Sequence, residues 1–257
     1  MPERKARIVF LCTDSRYSRI MYHGLATHAD VAAIIVEKPV ALTRLVRRRM
    51  EKLGLTATLG QLLFIVCNKL LARFSARRIC ELISAYGLDD APLPENLAIP
   101  VDTVNSPRTI ALLRELAPDA VVVNGTRIIS GEVLDAIETP FLNTHMGITP
   151  RYRGVHGGYW AIANNDRENC GVTVHLVDAG IDTGGVLYQD TIAVDERDDF
   201  NTYPIHQIAK AIPLMKSALE DVRTHNLRTV PGVLPSRLWH HPTLFQYLRN
   251  RLLLAAK

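Results

Sequence analysis

The sequence lacks the marks of several broad classes of protein. Its four cysteines, Cys12, Cys67, Cys80 and Cys170, are far apart and form no CxxC pair, which argues against a disulfide framework or a thiolate metal site. The longest uninterrupted apolar runs, such as Leu62 to Cys67, are far shorter than the roughly 18 residues of a membrane-spanning helix. The short basic amino terminus leads into no signal-peptide core. We therefore expect a cytoplasmic protein with reduced thiols and no membrane-crossing segment.

A strong excess of charge of one sign is also absent. The chain has 30 Lys and Arg against 26 Asp and Glu, a formal net charge of +4. This excess weakly favours anionic substrates or surfaces and is too small to indicate nucleic-acid binding, so we expect no nucleic-acid partner. Hydrophobic residues make up 47% of the 257 residues, which is enough to build a packed core in one main domain.

Glycine motifs for nucleotides are missing, because neither GxGxxG nor GxxxxGK[ST] follows the first apolar run. Short β-branched runs are present instead, at Ile8–Leu11, Val31–Val36, Ala120–Val123 and Val172–Val177. Segments with helical spacing separate them, and Thr13-Asp14-Ser15 is a good N-cap cluster for a helix over Arg16–Thr27. The pattern predicts an α/β fold with a Rossmann-like, mainly parallel twisted sheet flanked by helices.

Two stretches are basic and apolar. We predict a basic helical insertion at about 40–92, with its cations between Arg44 and Arg78, inside a main domain of residues 1–200. A short C-terminal helix and tail, residues 201–257, ends in a second basic stretch over 237–257. Each stretch is expected to pack its apolar stripe on the core and to expose a basic face. Contact with a membrane surface, peripheral at the inner face, is the alternative interpretation.

Polar side chains gather at a predicted strand, Phe141–His145. The period of two in a strand places the side chains of Asn143 and His145 on the same face. Gly147 and Pro150 then break the strand, and the carboxyl end of a strand is where an α/β sheet commonly places its ligand. A hydrogen-bonded polar pair with a purely structural role is the alternative interpretation of Asn143 and His145.

A glycine-rich loop with two carboxylates, Asp178 and Asp182, follows the strand predicted at Val172–Val177. An amide, an imidazole and a carboxylate on neighbouring strand ends suit acyl transfer. The amide can donate to a developing oxyanion, the imidazole can handle protons, and the carboxylate can orient it. The residues alone leave the choice of carboxylate open.

The ordered set Asn143-Thr144-His145, Thr149 to Gly154, Thr173-Val174-His175 and Asp182-Thr183-Gly184 resembles the folate-dependent formyltransferases. This family includes glycinamide ribonucleotide, methionyl-tRNA and sugar N-formyltransferases. The resemblance implies catalytic residues Asn143, His145 and Asp182, with 10-formyltetrahydrofolate as the formyl donor and no metal. It further implies direct attack of a substrate amine on the formyl carbon, hydrogen bonds from Asn143 and His145 to the oxyanion, and a proton-relaying water positioned by Asp182.

The resemblance also implies which residues line the ligand sites. Folate would lie, mostly on backbone groups, against Arg127, Ile128, Ile129, Val177 and Asp178. Ile128 and Ile129 are equally compatible with a core position near a helix capped at Ser130. The amine acceptor would contact Tyr152, Arg153, His156 and Trp160. For His156 a plain turn residue is the alternative, and His175 is expected to support the loop.

The branches of the family differ in their acceptor. The loop Cys12–Tyr17 lacks the glycine-rich phosphate nest of the glycinamide ribonucleotide enzymes, and Gly147 occupies the place of their phosphate-facing serine. Residues 190–257 are shorter than the C-terminal domain of methionyl-tRNA enzymes. Hydrolases normally carry an amino-terminal regulatory domain, whereas Ile8 begins the predicted fold. These features favour an amino sugar, nucleotide- or lipid-linked, or another small amine. A glycinamide ribonucleotide enzyme, a hydrolase and a non-catalytic folate binder remain alternatives. The oligomeric state is left open, and a dimer is compatible with the sequence.

Overall fold

The computed structural model describes residues 4–254. Residues 1–3 and 255–257, and with them Lys257 of the predicted basic C-terminal stretch, lie outside the described residues. In chain order the strands are β1 (Arg7–Cys12), β2 (Asp30–Glu37), β3 (Ala98–Val101), β4 (Ala120–Asn124), β5 (Phe141–His145), β6 (Arg153–Gly154), β7 (Gly171–Leu176), β8 (Val186–Thr191) and β9 (Leu238–Trp239). The helices are α1 (Arg16–Ala26), α2 (Leu42–Ala85), α3 (Pro107–Leu116), α4 (Gly131–Leu134), α5 (Gly157–Ala163), α6 (Tyr203–Arg223) and α7 (Leu244–Leu253), with a 3₁₀ turn at Arg167–Asn169.

The predicted mainly parallel sheet is confirmed. Its order is β3-β2-β1-β4-β5-β7-β8, with parallel pairing from β3 to β5 and antiparallel pairing of β5 with β7 and of β7 with β8. Alternate side chains of β1 enter different cores: Ile8 and Phe10 pack under α1 and α6, while Val9 and Leu11 pack under α3. Helices therefore cover both faces, which explains why the central strands read as continuous apolar runs.

The first crossover also follows the sequence prediction. Ser15 has extended backbone angles and its side chain accepts a hydrogen bond from the Ser18 N–H, so it caps α1. The helix ends at Ala26, one residue before the predicted end. This cap ties up an amide at the start of α1 that could otherwise face a ligand.

The predicted insertion is helical, and its apolar residues lie on two sides of the helix. Helix α2 is interrupted at Gly54, whose φ of 80° and ψ of 170° are not helical. Beyond this break, Phe64, Ile79 and Leu82 are buried in the core, as expected of an apolar stripe packed on the domain. Other large apolar residues of the same helix, such as Leu59, Leu70 and Phe74, face solvent, which the expectation of a solvated basic face did not include.

Helix α2 has a long apolar segment that the short uninterrupted runs of the sequence did not indicate. An 18-residue window of α2 has a mean hydropathy of 1.5, and 17% of that window is buried. By length and composition alone, a helix of this kind could cross a bilayer.

The C-terminal region is more integrated than a tail. Helix α6 buries Ile205, Ile208 and Met215 in the same core as β1, so both parts of the predicted division at residue 200 pack on one core. After α6 the chain returns across the sheet ends, and β9 pairs with β6. Helix α7 then packs on α2 through Tyr247, which lies in an aromatic cluster with Phe64.

Candidate active site

Strands β5 and β7 bring the predicted polar residues together. Antiparallel pairing sets Asn143 opposite His175, and the predicted bounds of β5 match the observed ones. The Asn143 Nδ2 atom lies 3.0 Å from His175 Nε2. His175 Nδ1 lies 2.6 Å from the Leu176 carbonyl, which can only accept, so Nδ1 carries the proton and the neutral Nε2 accepts from the amide. One Asn143 N–H is thus engaged, and the amide carries a second.

His145 is held in one orientation by the backbone. Its Nε2 atom lies 2.6 Å from the Tyr152 carbonyl oxygen, so Nε2 carries a proton and donates it. Its Nδ1 atom faces Asp182 Oδ2 at 3.3 Å. Burial lowers the pKa of His145 below its ordinary value, and the carboxylate of Asp182 opposes this only in part. The neutral ring therefore presents an unprotonated Nδ1 to the carboxylate.

Asp182 lies between the two imidazoles. Its second oxygen, Oδ1, is 3.6 Å from His175 Nε2, and its Oδ2 accepts the Gly154 N–H at 2.8 Å. Burial tends to raise the pKa of Asp182, but in acid solution, where His145 gains a proton, the charge of His145 together with His175 and the Gly154 N–H outweighs burial and holds the pKa below its ordinary value. Asp182 itself has a φ of 50°, a left-handed conformation that Asp tolerates better than most residues. The carboxylate is therefore ionised in a partly buried site.

The rival carboxylate has a different role. Asp178 is exposed and accepts hydrogen bonds from the Thr183 hydroxyl at 2.7 Å and from the Gly180 N–H at 3.0 Å. These contacts shape the loop between β7 and β8. Of the two aspartates that the sequence left open, Asp182 is the one that faces the histidines.

Two backbone groups complete the site and could not be read from the sequence. They are the Tyr152 carbonyl, which orients His145, and the Gly154 N–H, which orients Asp182. Strand β9 braces this segment, since the Val155 N–H donates to the Trp239 carbonyl and the Arg153 N–H donates to the Arg237 carbonyl. The C-terminal region thereby fixes the groups that hold the site.

Gly147 is required by close packing. A Cβ atom there would lie 2.5 Å from the Tyr152 carbonyl oxygen, 2.8 Å from His145 Nε2 and 3.1 Å from the Gly157 Cα. Any side chain at this position would push apart the imidazole and the carbonyl that orients it.

The residues predicted to contact the acceptor separate into two groups. Tyr152 and Trp160 are buried in an aromatic cluster, where the Tyr152 hydroxyl donates to Asp166 and the Trp160 indole donates to the His240 carbonyl. This placement corrects the expectation for both, because they pack the core and their polar atoms are already paired. Arg153 is half-buried and donates to the Ile181 carbonyl at 3.2 Å, next to Asp182.

His156 also differs from the expectation of an acceptor contact. Its ring stacks near Phe200 and lies 2.9 Å from the His241 ring, Nε2 to Nδ1. Burial lowers the pKa of His156 to about 3, so the ring is neutral. Its φ of 59° places it at a sharp turn before α5, which agrees with the turn interpretation.

Three of the predicted folate residues, Arg127, Ile128 and Ile129, follow the end of β4, and they differ in their exposure to solvent. Ile128 is exposed, whereas Ile129 is buried in the core, as the alternative interpretation allowed. The Arg127 guanidinium pairs with the buried Glu37, Nε to Oε2, at 2.6 Å, and the Arg127 backbone N–H also donates to Glu37. Glu37 was not singled out from the sequence, and nothing in its neighbours along the chain signals it. Val177 donates its N–H to the Phe141 carbonyl, which leaves its carbonyl beside the loop.

No group of three or more His, Cys, Asp or Glu side chains within residues 4–254 is arranged to hold a metal ion. The side chains of the site offer hydrogen bonding and proton transfer. One amide donor, two oriented imidazoles and an ionised carboxylate surround the ends of β5 and β7.

Comparison with known proteins agrees with this geometry. Residues 89–211, which include the whole site cluster, match the formyl transferase family. Methionyl-tRNA formyltransferase of Caldanaerobacter subterraneus subsp. tengcongensis is 38% identical over 104 residues, which cover 40% of this chain and 33% of that one. The enzyme of the same name from Anaeromyxobacter dehalogenans is 42% identical over 93 residues, covering 36% and 30%. The match thus spans about a third of the length of these relatives.

Solved structures share the fold over most of the chain. A 4-N formyltransferase from Francisella tularensis superposes with a TM-score of 0.57 at 13% identity, covering 94% of this chain and 78% of that one. Glycinamide ribonucleotide transformylase 1 from Symbiobacterium toebii gives a TM-score of 0.57 at 20% identity, covering 89% and 92%. The fold is thus the Rossmann-like α/β fold of these solved structures. The match places residues 89–211, just under half of the chain, in the formyl transferase family.

Proposed function

We propose that this chain transfers a formyl group from 10-formyltetrahydrofolate to a primary amine. The observation that carries the proposal is a pair of acceptors, His145 Nδ1 and Asp182 Oδ2, which face each other 3.3 Å apart. Two acceptors need a donor between them, and the N–H groups of an amine supply one. The same pair can take the proton that the amine loses on attack.

The proton steps follow from the tautomers. As the amine nitrogen bonds to the formyl carbon, the π electron pair of the formyl carbonyl moves to its oxygen. The second N–H of Asn143 is placed to donate a hydrogen bond to that oxygen. The amine proton passes to His145 Nδ1, and Asp182 stabilises the imidazolium. When the tetrahedral species collapses, the bond to the folate nitrogen breaks and that nitrogen takes the proton. In this proposal His145 is held by the Tyr152 carbonyl and carries the proton, whereas the resemblance implied that it donates to the oxyanion.

The folate donor would lie between the ends of β4 and β5. The exposed Ile128 offers an apolar surface there, and the carbonyl groups around Val177 offer acceptors on the other side. Residues whose side chains are committed elsewhere, such as Arg127, would contribute backbone groups or shape. This assignment is part of the same proposal.

For the acceptor we propose an amino sugar, nucleotide- or lipid-linked. The loop after β1 supports this against a phosphate-anchored glycinamide ribonucleotide. Ser15 already caps α1, Asp14 adds a negative charge, and Arg19 is paired with Asp14 at 2.7 Å. An anion would therefore find few unpaired donors in this loop. Methionyl-tRNA is a further acceptor to be tested, because the relatives that match the segment carrying the site are named for it.

The test is an acceptor panel with the purified chain and 10-formyltetrahydrofolate. Amino-sugar nucleotides, glycinamide ribonucleotide and methionyl-tRNA are offered separately, and the release of tetrahydrofolate and the mass of the product are measured. We expect release that depends on an amine and a formylated amino sugar. Release without any amine would mean a hydrolase, and binding of the folate without release would mean a non-catalytic binder; either result overturns the proposal.

A further inference from the structure

One apolar face of helix α2 is exposed to solvent. The exposed residues lie on one side of the helix after the Gly54 break, and they are Leu55, Leu59, Leu63, Val66, Leu70 and Phe74. Their steps of four, four, three, four and four residues form one continuous stripe on a helix. Phe74 alone is 84% exposed. An ordinary surface helix turns such a stripe toward its own core, so this face is available to a partner.

The opposite face of α2 is fixed to the domain by the buried side chains of Phe64, Ile79 and Leu82 and by polar contacts. Gln61 donates to the His241 carbonyl at 2.8 Å, and the Ser75 hydroxyl donates to Asp199 at 2.6 Å. Further along, Arg78 donates to the buried Asp198 at 2.9 Å. Because these contacts lie on one side over several turns, the helix cannot roll its apolar stripe inward without breaking them.

Helix α7 widens the apolar surface. Phe245, Leu248 and Leu252 are exposed beside α2, and a groove of about 500 Å³ separates the two helices. Gly60 permits the approach, since a Cβ there would lie 2.9 Å from Thr243 Cβ. The exposed apolar residues of the two helices together are called the α2–α7 face.

The charges around this face identify its partner. Glu51 is the only acidic residue between Leu42 and Cys80, and residues 238–254 contain none. Exposed cations lie along both helices, namely Arg44, Arg47, Arg48, Lys52, Lys69, Arg73, Arg77, Arg249 and Arg251. A second copy of the chain packed on the same face would bring like charges together. An anionic lipid surface complements the cations with its headgroups and the apolar stripe with its acyl boundary.

We propose that the α2–α7 face binds an anionic membrane surface, with α2 lying in the plane of the bilayer. Although a window of α2 is apolar enough to cross a membrane, the contacts of Gln61, Ser75 and Arg78 hold the helix along the domain. Crossing would expose these polar groups to hydrocarbon, whereas lying flat keeps them paired. The inference stands apart from the proposed chemistry, and it would suit a lipid-linked acceptor.

The experiment measures sedimentation of the full chain with lipid vesicles at low salt. Vesicles of phosphatidylcholine alone are compared with vesicles that contain phosphatidylglycerol. We expect binding to the anionic vesicles, weak binding to the neutral ones, and loss of binding as salt is raised. The variant Leu70→Glu/Phe74→Glu should lower the partition coefficient at least about tenfold. Val233→Glu is the matched control, since Val233 is 89% exposed outside the face, and it should leave binding unchanged.

A second pair of variants tests the charges. Lys69→Gln/Arg73→Gln should weaken binding about fivefold per cation. Arg108→Gln, which removes an exposed cation from α3, should have little effect. Circular dichroism and thermal melting check that each variant is folded. Failure to bind anionic vesicles at low salt overturns the proposal, as does equal binding by the face variants and their controls. So does a sedimentation velocity result in which the free chain is a stable dimer that Leu70→Glu/Phe74→Glu dissociates.

Discussion

Replacing Gly147 with alanine should separate His145 from the backbone group that orients it. The added methyl carbon would lie 2.5 Å from the Tyr152 carbonyl oxygen and 2.8 Å from His145 Nε2. Contact distances between non-bonded heavy atoms are about 3.5 Å or more, so the carbonyl or the ring must move by about 1 Å. The hydrogen bond of 2.6 Å between them cannot survive that movement unchanged.

The size of the effect follows from this displacement. A reacting group misplaced by about 1 Å can cost on the order of 100-fold in rate, and we expect kcat for formyl transfer to fall by about that factor. Overpacking of this kind also costs about 1–3 kcal/mol of folding stability, which lowers the Tm by several degrees in a chain of this size. The folate affinity should change little, because Gly147 lies on the histidine side of the site.

The assay combines steady-state kinetics with a nuclear magnetic resonance signal. The His145 Nε2 proton should exchange slowly with solvent in the unmodified chain and faster in Gly147→Ala. Gly131→Ala is the matched control, because the nearest atom to its Cβ would be Asp135 Oδ2 at 3.9 Å, and it should leave both measurements unchanged. Unaltered kcat and proton exchange in Gly147→Ala would refute the assigned orientation of His145.

Three further predictions concern other groups. Because burial lowers the pKa of His145, its ring should stay neutral at pH 6.5 and gain a proton only in more acid solution, as followed by ¹⁵N resonance shifts; titration at or above pH 6.5 would contradict this. Burial raises the pKa of both Cys12 and Cys170 to about 12. A thiol reagent at pH 8 should therefore modify these two cysteines only after unfolding, and fast modification of the folded chain would argue against their burial. Arg78→Met should cost about 1.5–3 kcal/mol at pH 7 in denaturant titrations, because it removes the guanidinium that donates to the buried Asp198 and leaves this carboxylate with His206 and the Asp195 N–H; no measurable loss would disprove this anchor.

The last of these predictions also depends on pH. Burial tends to raise the pKa of Asp198, but hydrogen bonds from His206, from Arg78 and from the Asp195 N–H outweigh it and hold the pKa below its ordinary value. A depressed pKa in the folded state stabilises the protein above the unfolded pKa, and this stabilisation is lost as the pH falls. The penalty of Arg78→Met should therefore shrink in acid.

Strand periodicity was enough to predict half of the site. The bounds of β5 and the shared face of Asn143 and His145 follow from alternation, and both side chains do reach the polar cluster. The place of His175 opposite Asn143 depends on which strands pair and in what register, and a single sequence carries no signal for that. For the same reason the Tyr152 carbonyl and the Gly154 N–H could not be foreseen.

The helices show where sequence periodicity was ambiguous. The apolar stripe of α2 was visible in the sequence, but periodicity shows only that a stripe exists and not which way it faces. In this fold Gln61 and Ser75 form hydrogen bonds with the domain, and the stripe from Leu55 to Phe74 faces solvent. Strand β9 has two residues, Leu238 and Trp239, and a segment this short has no periodicity from which to predict it.

The most direct test of the central claim compares two aspartates on one loop, each replaced separately by asparagine. For each variant, binding of 10-formyltetrahydrofolate and amine-dependent release of tetrahydrofolate are measured. Asp182 faces both histidines, whereas Asp178 binds only its own loop. We predict that Asp182→Asn keeps folate binding and loses transfer by on the order of 1,000-fold, as the loss of a charge partner in a proton-transfer pair implies, while Asp178→Asn stays within a few-fold of the unmodified chain. Equal activity of the two variants would contradict the account.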